Sequence, residues 1–568
     1  MNIPRFIWLI PFLVAAFLCG CAREPADLVV SNARIYTVNN EQPWAEAMAV
    51  VGNRIVYVGS QDGAEELVGP ETEIMDVEGR MVMPGIHDAH VHPDRGEWYN
   101  HRLCQAHAGD EAALIETIRQ CASKSADGWV VGYRYDLNTF DRFNPTKEFL
   151  DAIVADRPVA ILRWDSHAMW VNTAALDWVG YTKDTPDPPG GELVRDAATG
   201  ELTGVLIDSA YHPLFEHINA MRDRRGELEA ALKRMNALGI TAYFDALIRS
   251  EAALKAYRDL DADGQMTARA SIGWLISPGN DPGRVQELYD HKRTYTSGQV
   301  QLTTAKIFLD GNVEDHMAYL TEPYPDIGGY GTPYFSREQL TVIVTELADK
   351  GLDAHIHVIG DGAARLALNV IEEVRQVNRD QRLTLAHLVH VHPDDVPRFL
   401  SLDVTANVSP VWAYPSAFGP VDGSYDYMAF MEKKLGKGRA HDTMYLFRSI
   451  ADSGGRLTGS SDWFYTSLNP FDGIEVAIAR KDPSNENPDV LDIAEALTLE
   501  QAIDAYTINA AFQLRMEQST GSLEPGKFAD FIVLDRNLFD INPTDISETQ
   551  VLKTIFNGKV VYGTERTR

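Results

Sequence analysis

Two histidines two residues apart, His90 and His92, end the segment Met83-Pro-Gly-Ile-His-Asp-Ala-His-Val-His-Pro93. Side chains alternate along a strand, so both imidazoles leave the same face. Two imidazoles on one face make a chelating pair for zinc or a similar divalent metal. Most of the chain's 16 histidines need no such role, since a lone His is usually a surface or hydrogen-bonded residue. What distinguishes this pair is its place at the end of a strand, just after Pro84-Gly85. Lys306 lies in Thr304-Ala-Lys-Ile-Phe-Leu-Asp310 and shares its parity with Asp310. A lysine facing a protein interior is costly unless it is paired or chemically changed. A salt bridge to Asp310 is one way to meet that cost.

Such residues need a frame that brings distant strand ends together. Short apolar strands alternate with helical stretches over Met83–Val91, Gly239–Asp245, Thr267–Trp274, Leu302–Asp310, Ala354–Ile359, Leu383–His387, Val404–Val408 and Arg456–Gly459. Ser336-Arg-Glu-Gln339 and Thr498-Leu-Glu-Gln501 read as capping boxes that open helices. Eight βα units predict an α/β, TIM-like (β/α)8 barrel over residues 84–519, with its site at the C-terminal strand ends. The gap from Pro93 to Leu238 is too long for one crossover and reads as an inserted α/β lobe over residues 95–220. Strand-rich ends, with turns at Gly52-Asn53 and Asn557-Gly558, predict a composite N/C-terminal β-sandwich of residues 27–83 plus 520–568.

The first strand, with Pro-Gly before its HxH, resembles that of the amidohydrolase superfamily. His355-Ile-His357-Val-Ile-Gly-Asp361 narrows the likeness to the YtcJ type, amidohydrolase family 3. Asp165-Ser-His167-Ala-Met-Trp-Val-Asn172, Gly190-Gly191 and Gly521-Ser-Leu-Glu-Pro-Gly-Lys527-Phe-Ala-Asp530 extend it over nearly the whole mature chain. The resemblance implies metal ligands at His90, His92, His357, His387 and Asp462. It also implies that CO₂ carbamylates Lys306 into an anionic bridge between two ions. One or two zinc ions are the implied cofactor. Asp462, in Gly459-Ser-Ser-Asp-Trp463, is the implied catalytic carboxylate, first general base and then general acid; an Asp capping a helix is the plainer alternative. Ala386 stands where the subgroup usually carries Glu. His355 reads as packing one layer deeper. His167 and Trp412 are candidates for the substrate pocket, with a core role in the lobe equally open for His167. The implied reaction is hydrolysis of a non-peptide C–N bond in a small-molecule, N-substituted amide. Hydrolysis of an ester, lactone or cyclic amide on the same site is the alternative. A non-catalytic barrel lipoprotein used for binding is the rival of another class.

The remaining sequence sets the surroundings. Of 568 residues, 45% are hydrophobic and 23% charged, ordinary globular values that exclude a disordered or fibrous chain. Acidic residues exceed basic ones by 82 − 51 = 31. So acidic a surface repels phosphate backbones and argues against a nucleic-acid partner. Homo-oligomerisation is left open. Residues 1–20 carry Arg5 and an apolar run, Phe6 to Leu18, of signal-peptide length. Leu18-Cys-Gly-Cys21 resembles a bacterial lipoprotein box, with Cys21 as the lipidated residue. Ala22 after it favours the outer membrane, by resemblance to Gram-negative lipoproteins. An exported chain facing the periplasm would touch membrane only through that anchor. Cys104 and Cys121 remain, an even pair in an oxidising compartment; either a disulfide or two separate buried thiols fits. Substituting Cys21→Ser is expected to abolish acylation. Palmitate labelling that persisted in that variant would refute the anchor.

Overall fold

The computed structural model describes residues 24–106, 110–125, 128–135, 145–163, 168–188, 191–277, 283–313, 316–377, 380–417, 427–484 and 487–563. Cys21, His167 and the N-terminal apolar run lie outside them. Among the described residues, no helix is long and apolar enough to cross a membrane.

The expected barrel is present. Its parallel strands are β1 (Ile86–Val91), β2 (Ile240–Ile248), β3 (Arg269–Ile276), β4 (Val300–Phe308), β5 (Asp353–Val358), β6 (Leu383–His387), β7 (Val404–Val408) and β8 (Arg456–Gly459). Each is hydrogen-bonded to its neighbours in that order from β1 to β8. Every residue of β2 and β3 is buried, as parallel strands covered on both faces require. Helices Glu251–Ala262, Gly283–Tyr295, Arg337–Asp349 and Asp361–Arg375 alternate with β2 to β6. The boxes at Ser336 and Thr498 cap the helices at Arg337 and Leu499, with both reciprocal bonds made.

The ladder runs open between β1 and β8. At the C-terminal end of β1, two backbone bonds to the turn after β8 close it: Asp462 N–H donates to His90 O at 2.8 Å, and His92 N–H to Trp463 O at 2.9 Å.

One strand differs from expectation. The apolar run to Val91 is two strands, Met81–Pro84 and β1, broken at Gly85. A Cβ at Gly85 would stand 2.1 Å from Thr241 Oγ1, so only glycine lets the chain turn there against β2. Met81–Pro84 pairs antiparallel with Phe531–Leu534, joining the two ends of the chain in one sheet. That six-stranded sheet faces a four-stranded one made of residues 28–31, 47–51, 54–59 and 73–76. Val30, Ile35, Met48, Val82, Phe531 and Ile555 share the core between them. Asn557-Gly558 takes positive φ at both residues, +51° and +75°, the backbone of a tight hairpin turn.

Between β1 and β2 lies a second six-stranded sheet, formed by residues 104–105, 130–135, 159–163, 168–171, 191–195 and 202–208. A disulfide joins Cys104, on its edge strand, to Cys121 in helix Glu111–Lys124.

Arg269, at the start of β3, ties barrel to sandwich. It donates to Asp530 at 3.0 Å, to Gln299 at 2.5 Å and to Asn557 at 2.6 Å, and both charges are buried. Removing one partner of a buried pair strands the other charge, which costs about 3–5 kcal/mol. Arg269→Met is therefore expected to lower unfolding free energy by about 3 kcal/mol or more, read from the urea midpoint. An unchanged midpoint would show that the pair contributes nothing net.

Candidate metal centre

The strand ends converge on Asp462. His90 is in β1; His92 is one residue past it, at the start of the short helix Pro93–Glu97. His92 Nε2 lies 2.9 Å from Asp462 Oδ1, and His90 Nε2 lies 3.6 Å from the same oxygen. Ligand atoms of these three buried residues fall within 4.8 Å of one another, close enough to hold one ion. His387, the last residue of β6, reaches Asp462 Oδ2 at 4.0 Å through Nδ1. Its ring centroid is 4.7 Å from that of His90 and 4.7 Å from that of His357 on β5. Lys306, on β4, places Nζ 3.4 Å from His90 Nε2. The structure thus brings His90, His92, Lys306, His357, His387 and Asp462 together at one mouth. Trp412 stacks flat on His387, centroids 5.1 Å apart, so one face of its ring is taken by that imidazole.

Burial governs the charges. It holds His90, His355 and His387 well below the ordinary imidazole pKa, aided by the Lys306 charge and by the other histidines. Neutral imidazoles are the form that binds metal. Burial pushes the Lys306 ammonium down to about 7, opposed only by Asp462. Lys306 makes no salt bridge with Asp310. The Asp310 carboxylate instead accepts backbone N–H groups from Ile359 at 2.9 Å, Gly360 at 2.8 Å and Tyr319 at 3.1 Å.

The donor set fits a divalent ion. Nδ1 of His92, His357 and His387 is buried without a hydrogen-bond partner. Each such atom costs roughly 1–3 kcal/mol if nothing satisfies it. His387 Nδ1 faces Asp462, His357 Nδ1 lies 3.6 Å from Asp310 Oδ1, and His92 turns its other nitrogen to Asp462; imidazoles with open nitrogens gathered in one mouth describe a metal site better than a packed core.

The amidohydrolase family model matches residues 73–562. The chain belongs to the amidohydrolase family. Similar proteins include the N-substituted formamide deformylase of Arthrobacter pascens, 29% identical over 95% of this chain and 99% of that protein. The putative amidohydrolase YtcJ of Bacillus subtilis (strain 168) is 29% identical over 93% of this chain and 98% of that protein. Among solved structures, an uncharacterized metal-dependent hydrolase from Pyrococcus horikoshii OT3 has the same fold, with a TM-score of 0.74, 22% identity and coverage of 91% and 99%.

In this amidohydrolase two further residues position the candidate ligands, a role the sequence alone assigned to neither. His355 Nε2 lies 2.8 Å from His90 Nδ1, which fixes the His90 ring and leaves its Nε2 facing the site. The register places His355 directly opposite Lys306. Asp88 accepts the Ser461 N–H at 3.1 Å and its hydroxyl at 2.5 Å. It thereby anchors the turn that carries Asp462. Asp88 has the parity of His90 and His92, a signal visible in the sequence, and burial raises its pKa to about 7.

Loss of the His355 contact frees the His90 ring to rotate. His355→Phe is expected to weaken divalent-metal affinity about 10–100-fold, read as metal retained after dialysis against graded chelator. Retention equal to the parent's would reduce His355 to packing.

Proposed function

We propose that this amidohydrolase cleaves a non-peptide C–N bond in an N-substituted amide, using zinc held by His90, His92, His357, His387 and Asp462. The observation that carries this is the buried set His90, His92 and Asp462, whose ligand atoms lie within 4.8 Å of one another, with His387 and His357 beside it. Nitrogen and carboxylate donors suit zinc among the common divalent ions. The full-length similarity to an N-substituted formamide deformylase supports the bond class. A divalent ion bound here supplies a Lewis acid and lowers the pKa of water from about 16 to about 7.

Asp462 lies against both His90 and His92, so its carboxylate is placed to take the proton of the attacking water. Water adds to the carbonyl carbon; the proton passes to Asp462 and then to the leaving nitrogen. The amine departs neutral and a carboxylic acid remains. His90 and His92 orient the site, His355 holds His90, and Trp412 limits the position of His387.

Lys306 completes the proposal. Neutral imidazoles alone would leave two divalent ions with a large uncompensated charge. Addition of the Lys306 amine to CO₂ forms an N–C bond, releases one proton and leaves an anionic carbamate among those imidazoles. Export and anchoring through Cys21 belong to the same reading.

The test combines metal analysis with a panel of N-substituted formamides read by amine release. Lys306→Ala is expected to lose one metal equivalent and most activity, with partial rescue by short-chain carboxylates. Lys306→Arg should not rescue. Full metal content and rate in Lys306→Ala would exclude the carbamate. No amine release from any amide by the zinc-loaded protein would exclude the C–N reading.

A further inference from the structure

His355 touches the metal centre with one nitrogen and turns the other away from it. Nε2 lies 2.8 Å from His90 Nδ1. Nδ1 makes no hydrogen bond among the described residues. It borders a cavity of about 10 Å³ inside the barrel, on the base side of the ligands. That is the room a single water needs.

Thr384 lines the same cavity and stands directly opposite His355 in the register of β5 and β6. Thr384 is buried, and its hydroxyl also makes no hydrogen bond among the described residues. Thr304 adds a third hydroxyl, whose one contact is Thr303 Oγ1 at 3.4 Å. The other polar groups around the cavity are engaged elsewhere. Asp353 accepts from Arg515 at 2.6 Å and from the Arg382 N–H at 2.9 Å. The Arg382 guanidinium pairs with Glu517 at 2.7 Å. Gln513 accepts from Thr458 at 2.8 Å and donates to Ala89 O at 2.7 Å.

Which nitrogen of each imidazole carries hydrogen decides what His90 can do. A neutral imidazole has one N–H and one lone pair. His90 offers Nε2 to a metal only when its hydrogen is on Nδ1, and that N–H points at His355 Nε2. His355 Nε2 then accepts, so the His355 hydrogen lies on Nδ1, against the cavity. The reverse arrangement places a hydrogen on His90 Nε2, the nitrogen that faces the site, and blocks it. What His355 Nδ1 meets in the cavity therefore selects between the two. The Thr384 hydroxyl lies beyond direct hydrogen-bond distance, a gap that one water spans. Such a water accepts from His355 Nδ1 and donates to the Thr384 and Thr304 hydroxyls. Three polar partners are typical of a buried water.

We propose that this cavity is the binding site of one structural water, and that Thr384, acting through that water and His355, is a positioning residue that holds His90 in its metal-binding tautomer. The chain of contacts joins β6 to β5 and β5 to β1. The inference rests on the metal-centre reading for the role of His90 as a ligand.

The experiment uses the full chain. Crystals of the zinc-loaded and the metal-free protein are expected to show one ordered water within reach of His355 Nδ1 and Thr384 Oγ1. Nitrogen-15 NMR of histidine-labelled protein, with the His355 signal identified by its loss in His355→Phe, should find the hydrogen on Nδ1. Thr384→Val keeps the shape and deletes the hydroxyl. It should shift the His355 tautomer in the metal-free protein and weaken zinc affinity about 10-fold, the lower end of the range for a lost outer support of a ligand. Thr384→Ser should restore both. A cavity without density in both crystals, a His355 hydrogen on Nε2 in the zinc-loaded protein, or parental tautomer and affinity in Thr384→Val would each overturn the proposal. Should Thr384→Val fail to fold, the density and the tautomer of the parent decide. The water and its Thr384-dependent tautomer in a protein that binds no zinc would uphold this inference and sink the metal-centre reading.

Discussion

Two backbone hydrogen bonds, His90 O with Asp462 N–H and His92 N–H with Trp463 O, hold the first barrel strand against the turn after the eighth. The chemistry depends on them. They join the chelating pair to the carboxylate that must face it, across some 370 residues of chain. The side-chain bonds between Asp88 and Ser461 lie in the same seam. Asp462 itself adopts φ +49°, as His387 adopts φ +76°. Left-handed backbone at non-glycine residues is unfavourable and persists where surrounding structure enforces it. Here the enforcing structure is the closed ladder.

Closure also explains how so many polar groups stay buried. Four imidazoles, an amine and a carboxylate in one apolar mouth would be expensive as isolated groups. The frame lowers that cost in parts. His355 satisfies one nitrogen of His90, and the Trp412 ring covers one face of His387. Backbone amides saturate Asp310, which keeps that carboxylate from quenching Lys306. What remains unsatisfied is concentrated where metal donors are required. Imidazoles kept neutral by burial are ready to donate without first losing a proton.

Much of the frame was legible in the sequence, because barrel strands are short apolar runs between helical periods. Leu383–His387, Val404–Val408 and Arg456–Gly459 have the same limits in the structure as in the pattern. The break at Gly85 was read as part of one strand, because the apolar run resumes at Ile86 directly after Pro84-Gly85. The close approach of Thr241 shows why the chain turns there. The HxH pair could be read from alternation alone, whereas Lys306, His357, His387 and Asp462 needed a resemblance to give them roles. His355 and Asp88 have roles set by partners 265 and 373 residues away. No local pattern encodes a contact of that kind.

The two ends of the barrel divide the work. At the base, Gly85 N–H donates to Asp530 O at 3.0 Å, and Arg269 reaches Asp530 and Asn557 from β3. Arg515 pairs with Asp353 at the start of β5 at 2.6 Å. These contacts lock the terminal sandwich and the last helices onto the strand beginnings, where rigidity has no catalytic penalty. At the mouth, the lobe inserted after β1 brings Tyr99 flat against Phe464, centroids 4.5 Å apart. A Cβ at Gly96 would strike the Trp463 ring at 2.3 Å, so the helix carrying Arg95 can sit close against the turn carrying Asp462. The lobe and the β8 turn therefore build one wall beside the metal ligands. A change in that wall alters which substrate fits without disturbing the base. A change at the base alters stability before it alters chemistry, because the ligands reach the mouth along strands whose register the base sets.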